Sequence, residues 1–205
     1  MNDRAALALL VAVLAALGYS AFTHPSDTDI WLLETGPVLI GAVLLLATWR
    51  RFRLTTLLCV LLALHALLLI GGGHYTYAEV PFGFWMQEVG GFERNPYDRL
   101  GHFAQGFVPA ILTCEILLRT SPLQRGKWLF FLVTCVCLAF SAFYELIEWQ
   151  VAVHTGDGSP EFLGTQGDPW DAQWDMTFAL VGAILAQLTL APLHDRQLAA
   201  LEPAA

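Results

Sequence analysis

Six side chains able to bind protons or metal ions recur at helical spacing in three stretches. These are Asp98 and His102 in NPYDRLGHFAQG, Glu145 and Glu148 in YELIEWQ, and Asp171 and Asp175 in GDPWDAQWDM. Residues three or four apart share one face of a helix, so each stretch aims two groups the same way. Carboxylates with one imidazole nitrogen suit a hard divalent cation. The expected ligands are Asp98, His102, Glu145, Glu148, Asp171 and Asp175. Such a cation polarises a phosphoryl or carbonyl oxygen while a nearby group moves a proton, which makes Glu145, Glu148 and His102 the candidate catalytic residues. Arg94 and Arg99 offer another way to neutralise the cluster, by charge pairing. No Gly-x-Ser-x-Gly nucleophile motif is present, and Ser141, a turn before Glu145, makes a poor nucleophile by itself.

The elements that must carry these groups are membrane helices. Of 205 residues, 56% are hydrophobic and 14% charged, which excludes an ordinary soluble domain. A span takes about 20 mostly apolar residues, and six such runs occur, at about 5–22, 32–49, 54–71, 100–119, 128–147 and 174–193. The first lacks a small-x-small cleavage site and is read as a retained helix rather than a signal peptide. The fold class is therefore all-α, a polytopic membrane protein of six transmembrane helices in one domain over residues 1–205. Eight of the ten basic residues fall on one side if the N-terminus is inside; only Arg94 and Arg99 fall on the other. The positive-inside rule then puts both termini in the cytoplasm. The net charge of −8 offers nucleic acid nothing, and fourteen of the eighteen acids lie on the outer side.

Helix rise lets the depths of the three pairs be compared. Arg119 back to His102 is 17 residues, ~26 Å, and Lys127 forward to Glu145 is 18, ~27 Å. Arg196 back to Asp175 is 21, ~31 Å at most, because Pro192 is expected to end the last helix early. All three pairs thus reach one level near the outer hydrocarbon boundary. Glu145 follows 17 uncharged residues, so its charge sits near lipid depth, where it is costly.

Simpler roles compete with chemistry at several positions. Asp168-Pro169-Trp170-Asp171 reads as an N-cap, a proline at N1 and an acid at N3. Asp175 is a turn too deep for capping. His65 reads as a hydrogen-bonded interior residue, and Glu115 as an acid that snorkels or pairs with Arg119 one turn on. Cys59, Cys114, Cys135 and Cys137 fall inside spans and read as small apolar side chains rather than disulfide or thiolate ligands. Outer loops at 72–99 and 148–173 are long and aromatic, suited to a lid or cup over the helix ends.

ERNPYDRLGHFAQGF, YELIEW and GTQGDPWDAQWDM resemble the bacterial inner-membrane family typified by YjdF, over about residues 20 to 195. The resemblance implies a multi-pass protein of the bacterial inner (plasma) membrane and carries no reaction with it. The order acid-x-x-x-His-Phe, Glu near a helix end, then Asp-x-x-x-Asp more distantly resembles the VanZ-like proteins linked to glycopeptide resistance. Those are usually built on fewer helices, with Asn where Asp175 stands here.

Three functions fit. One is an enzyme whose outward acidic, metal-binding site acts on a lipid or lipid-linked substrate, with membrane lipids as surroundings. The second is a cation or proton transporter, for which the polar residues below the cluster form a thin path. The third is a structural or accessory membrane protein whose acids pair with Arg94, Arg99 and His102. The residues alone leave open whether the chain is an enzyme.

Overall fold

The computed structural model describes residues 3–23, 28–155 and 165–201. The described residues form seven α-helices and no strand: α1 (Asp3–Thr23), α2 (Thr28–Thr48), α3 (Thr56–Tyr75), α4 (Pro81–Gly90), α5 (Tyr97–Thr120), α6 (Lys127–Thr155) and α7 (Asp171–Ala199). All but α4 are long and apolar enough to cross a membrane, as the hydropathy pattern predicts.

The helices outrun the apolar runs at several ends. α6 continues past residue 147 to Thr155, and residues 156–164 of the expected 148–173 loop lie outside the described residues. The expected 72–99 loop contains the last turn of α3, a 3-10 turn at Tyr77–Glu79 and all of α4. Pro81 at the first helical position and Gly91 in the left-handed conformation just past the end frame α4.

Pro192 does not end the last helix; α7 runs through it to Ala199. The proline removes one backbone donor, a loss that membrane helices tolerate when neighbours hold the chain. Here the following turn is held from three sides. His194 bonds Glu115, Asp195 pairs with Arg125, and Gln197 Oε1 accepts from Leu57 N at 2.7 Å.

α3 is the hinge of the packing. α1 and α2 lie against it on one side, while α5 meets it on the other and packs with α6 and α7. The closest approach is between α5 and α7. A Cβ on Gly106 would overlap the Ala179 backbone, and one on Gly182 would overlap the backbone of Phe103 and Phe107. These small residues let two main chains touch, the usual basis of helix association in lipid. Leu58, Ile111, Val133 and Ala183 fill the adjoining core, while Leu44, Phe131 and Phe143 stay exposed for lipid.

One end of the bundle gathers the arginines, and there Glu115 is 0% exposed rather than snorkelling. It pairs with Arg119 at 2.9 Å as expected, and it also accepts from Thr55 N at 3.1 Å, Thr55 Oγ1 at 2.8 Å and His194 Nε2 at 3.2 Å. His194 Nδ1 lies 3.0 Å from Arg125. A guanidinium only donates, so Nδ1 accepts and Nε2 carries the proton given to Glu115. Thr55 also caps α3, accepting from Leu58 N. The starts of α3 and α6 and the ends of α5 and α7 are thereby tied to one buried carboxylate.

Candidate functional site

At the opposite end, α5 and α7 begin and α6 extends outward. α5 starts at Tyr97 after Pro96. The preceding Asn95 is buried and fixes the entry: its Nδ2 donates to Ala78 O at 2.9 Å and Val80 O at 3.1 Å, and its Oδ1 accepts from Tyr97 N at 3.0 Å. Gln166 pairs reciprocally with the Asn95 backbone, accepting from its N at 3.2 Å and donating to its O at 2.9 Å. That pair straps the segment before α7 to the one before α5. Neither residue stood out by sequence, because an amide that serves backbone groups carries no motif.

The strap sets the arginines. Arg94 forms an ion pair with Asp171, and a second N–H of its guanidinium bonds Thr165 O at 2.5 Å. Arg99 bonds Asp168 Oδ2 at 3.1 Å and lies over the Trp174 ring, 5.6 Å from its centroid. The charge pairing expected of both arginines is therefore present. The expected capping is displaced: α7 starts at Asp171 behind Trp170, and Asp168 Oδ1 instead accepts from Trp170 N at 2.9 Å in the turn before it. Asp168 is a turn-former paired with Arg99, and Asp171 is Arg94's partner.

Beneath these pairs, Asp98, His102 and Asp175 come together, each buried, with one ligand atom apiece inside a mutual distance of 4.8 Å. Two ligands of one ion at ~2.1–2.4 Å stand at most ~4.8 Å apart, so the group is close to ligating dimensions. His102 Nε2 faces Asp98 Oδ1 at 3.6 Å, and Nδ1 is 3.8 Å from Glu145 Oε1. Nδ1 also meets Gln105 Oε1 at 2.9 Å. With that amide oxygen accepting, Nδ1 carries the proton and Nε2 turns its lone pair toward the carboxylates. In that tautomer Nε2 presents a lone pair to Asp98, and the two need a proton or a cation between them.

Asp175 is 2% exposed, yet its Oδ1 has no hydrogen-bond partner, and the same holds for the buried Glu145 Oε1. Buried polar atoms are nearly always paired, so each orphan calls for a ligand or a proton. The contrast with Glu115 is sharp: that carboxylate is saturated with donors, while this group lacks them. Glu148, one turn beyond Glu145, is within electrostatic range of Glu145, Asp98, Glu34 and Asp175. Asp171, tied to Arg94, is not one of the three close ligand atoms but is within electrostatic range of Asp98, Asp175 and Glu145.

Two further residues join the group from outside the three quoted stretches. Glu34 of α2 is buried at 5% exposure, within electrostatic range of Asp98 and beside Tyr144. Tyr77, in the 3-10 turn, lies among Glu34, Tyr144 and Asp98, and burial followed by those charges pushes its hydroxyl well above the usual range, keeping it a donor. Glu34 was legible as an acid in an apolar run. His65 contradicts its expected role, since its Nε2 is buried without a hydrogen-bond partner. All four cysteines are free thiols.

Residues 5–196 match the family described as "Predicted membrane protein (DUF2238)". The chain is 53% identical over 189 residues to the inner membrane protein YjdF of Escherichia coli strain K12, covering 92% of this chain and 88% of that protein. No solved structure matches it significantly. The chain belongs to this membrane-protein family and is a multi-pass integral protein of the inner membrane. The more distant VanZ resemblance is not shown by either match.

Proposed function

We propose that this member of the family holds a divalent cation between Asp98, His102 and Asp175 and uses it on a lipid or lipid-linked substrate at the outer face of the membrane. The observation that carries the reading is the orphaned Oδ1 of the buried Asp175 beside the outward-turned Nε2 of His102. A cation converts that acceptor-against-acceptor arrangement into a set of ligands, and Gln105 behind Nδ1 is the outer partner that orients a ligating histidine. Glu145, beside His102, has a free oxygen to take a proton, and Glu148 supports it. The bound cation would polarise a phosphoryl or carbonyl oxygen. Both termini cytoplasmic, with Arg94 and Arg99 outside, is the orientation the basic residues favour.

A proton or cation relay has less support. Between this group and Glu115 the α5 and α7 main chains touch at Gly106 and Gly182, which leaves little room for water. A purely structural cluster would satisfy its own acceptors, as Glu115 does.

The test is elemental analysis of the purified protein with thermal unfolding in Mg2+, Mn2+, Zn2+ or chelator. One divalent ion per chain is expected, lost in Asp175→Asn and His102→Ala variants that keep their helical circular dichroism. A protein that binds none of these ions, and whose unfolding ignores chelator, overturns the reading in favour of a structural cluster.

A further inference from the structure

α1 and α2 each pack along α3 but meet one another at few points. Between them, floored by α3, lies a cleft of about 390 Å³ that runs from Arg50 at the arginine end of the bundle up to Leu69. That volume is in the range of small-ligand sites, about 300–1,000 Å³. Leu7 of α1 and Leu46 of α2 belong to its walls and remain exposed, so the cleft is open to the surrounding lipid.

Its walls are apolar except at two levels. Asp3 and Arg50 stand at the arginine end, where Asp3 is already paired with Arg53. His65 is much deeper, nine residues after the start of α3 at Thr56 and ten before its end at Tyr75, or ~14 and ~15 Å from the two ends. It therefore sits at the middle of the span. The ring is partly buried in the wall, and its buried Nε2 has no hydrogen-bond partner. His74, His102, His154 and His194 each lie within hydrogen-bonding distance of another polar atom of the chain. An orphaned polar atom at this depth is costly, because hydrocarbon supplies no water to satisfy it.

Depth and charge select the occupant. A phospholipid carries its phosphate and ester oxygens at the membrane interface, far from His65, and its acyl chains have no polar atom to offer. A charged ligand would leave its charge at the bilayer centre, where it is expensive. The group that fits is an uncharged oxygen acceptor on an apolar chain, since a neutral imidazole always has one N–H to donate. We propose that the cleft binds an isoprenoid quinone, with a ring carbonyl accepting a hydrogen bond from His65 and the chain lying among the leucines between α1 and α2. This site shares no residue with the Asp98–His102–Asp175 group and does not depend on the cation reading.

The experiment is thermal unfolding of the purified full chain in detergent, followed by circular dichroism, with ubiquinone or menaquinone analogues carrying two isoprene units. Geraniol, which has the same chain and no quinone ring, is the control. At least one quinone at saturation should raise the unfolding temperature by about 5 °C or more, and geraniol should not. His65→Leu, which removes an unsatisfied polar group, should fold at least as well as the parent and lose the quinone shift. Asp175→Asn should keep it. Absence of a shift with both quinones, an equal shift with geraniol, or a quinone shift that survives His65→Leu overturns the site.

Discussion

Glu115 and Asp175 are both acids buried in apolar surroundings, and their different neighbours predict opposite responses to neutral substitution. Glu115 takes donors from Thr55, His194 and Arg119 at 2.8–3.2 Å. Glu115→Ala leaves these groups buried without an acceptor and leaves His194 between Arg125 and nothing. Breaking a buried, hydrogen-bonded charge pair costs about 3–5 kcal/mol. At about 2–4 °C per kcal/mol for a chain of this size, unfolding should fall by on the order of 10 °C. Asp175 Oδ1 has no partner to lose, so in metal-free protein Asp175→Asn should change stability by less than about 1 kcal/mol. The buried thiols Cys114 and Cys137 provide the assay, a thiol-reactive fluorophore followed on heating in mild detergent. Equal losses in the two variants under chelator would refute the division into a saturated lock and an unsatisfied site.

Arg94→Ala strands the buried Asp171 and the Thr165 carbonyl, which should cost about 2 kcal/mol and raise proteolysis of the segment before α7; Arg94→Lys, lacking the guanidinium fork, should recover less than half. Gly106→Val drives its side chain into the Ala179 backbone and should cost about 3 kcal/mol or abolish stable insertion, measured as the folded yield in detergent. In intact cells, Glu93→Cys should react with an impermeant maleimide and Arg51→Cys only after lysis; the reverse pattern would invert the proposed orientation.

Six apolar runs were enough to predict six membrane helices, because a bilayer demands length and hydropathy and little else. The common depth of Asp98, His102, Glu145 and Asp175 was likewise legible, since rise per residue converts sequence separation into height. Helix ends were less so. Pro192 reads as a stop by local chemistry, and it is overridden by His194, Asp195 and Gln197, whose partners are more than 60 residues away in the chain. α4 had its signals in Pro81 and Gly91, yet it is too short for hydropathy to reveal.

What only the tertiary structure decided is which acids have donors. Spacing offers Glu115 a pair with Arg119, puts Asp171 at a helix start and Asp175 a turn deeper, but it does not say which of them finds donors. Packing gives Glu115 a full set of hydrogen bonds, hands Asp171 to Arg94, and leaves an oxygen of Asp175 bare beside His102. It also brings Glu34 of α2, outside the three acidic stretches, into electrostatic range of the same group. Satisfaction of a buried polar atom depends on groups distant in sequence, so it is a property of the assembled helices and of no single stretch.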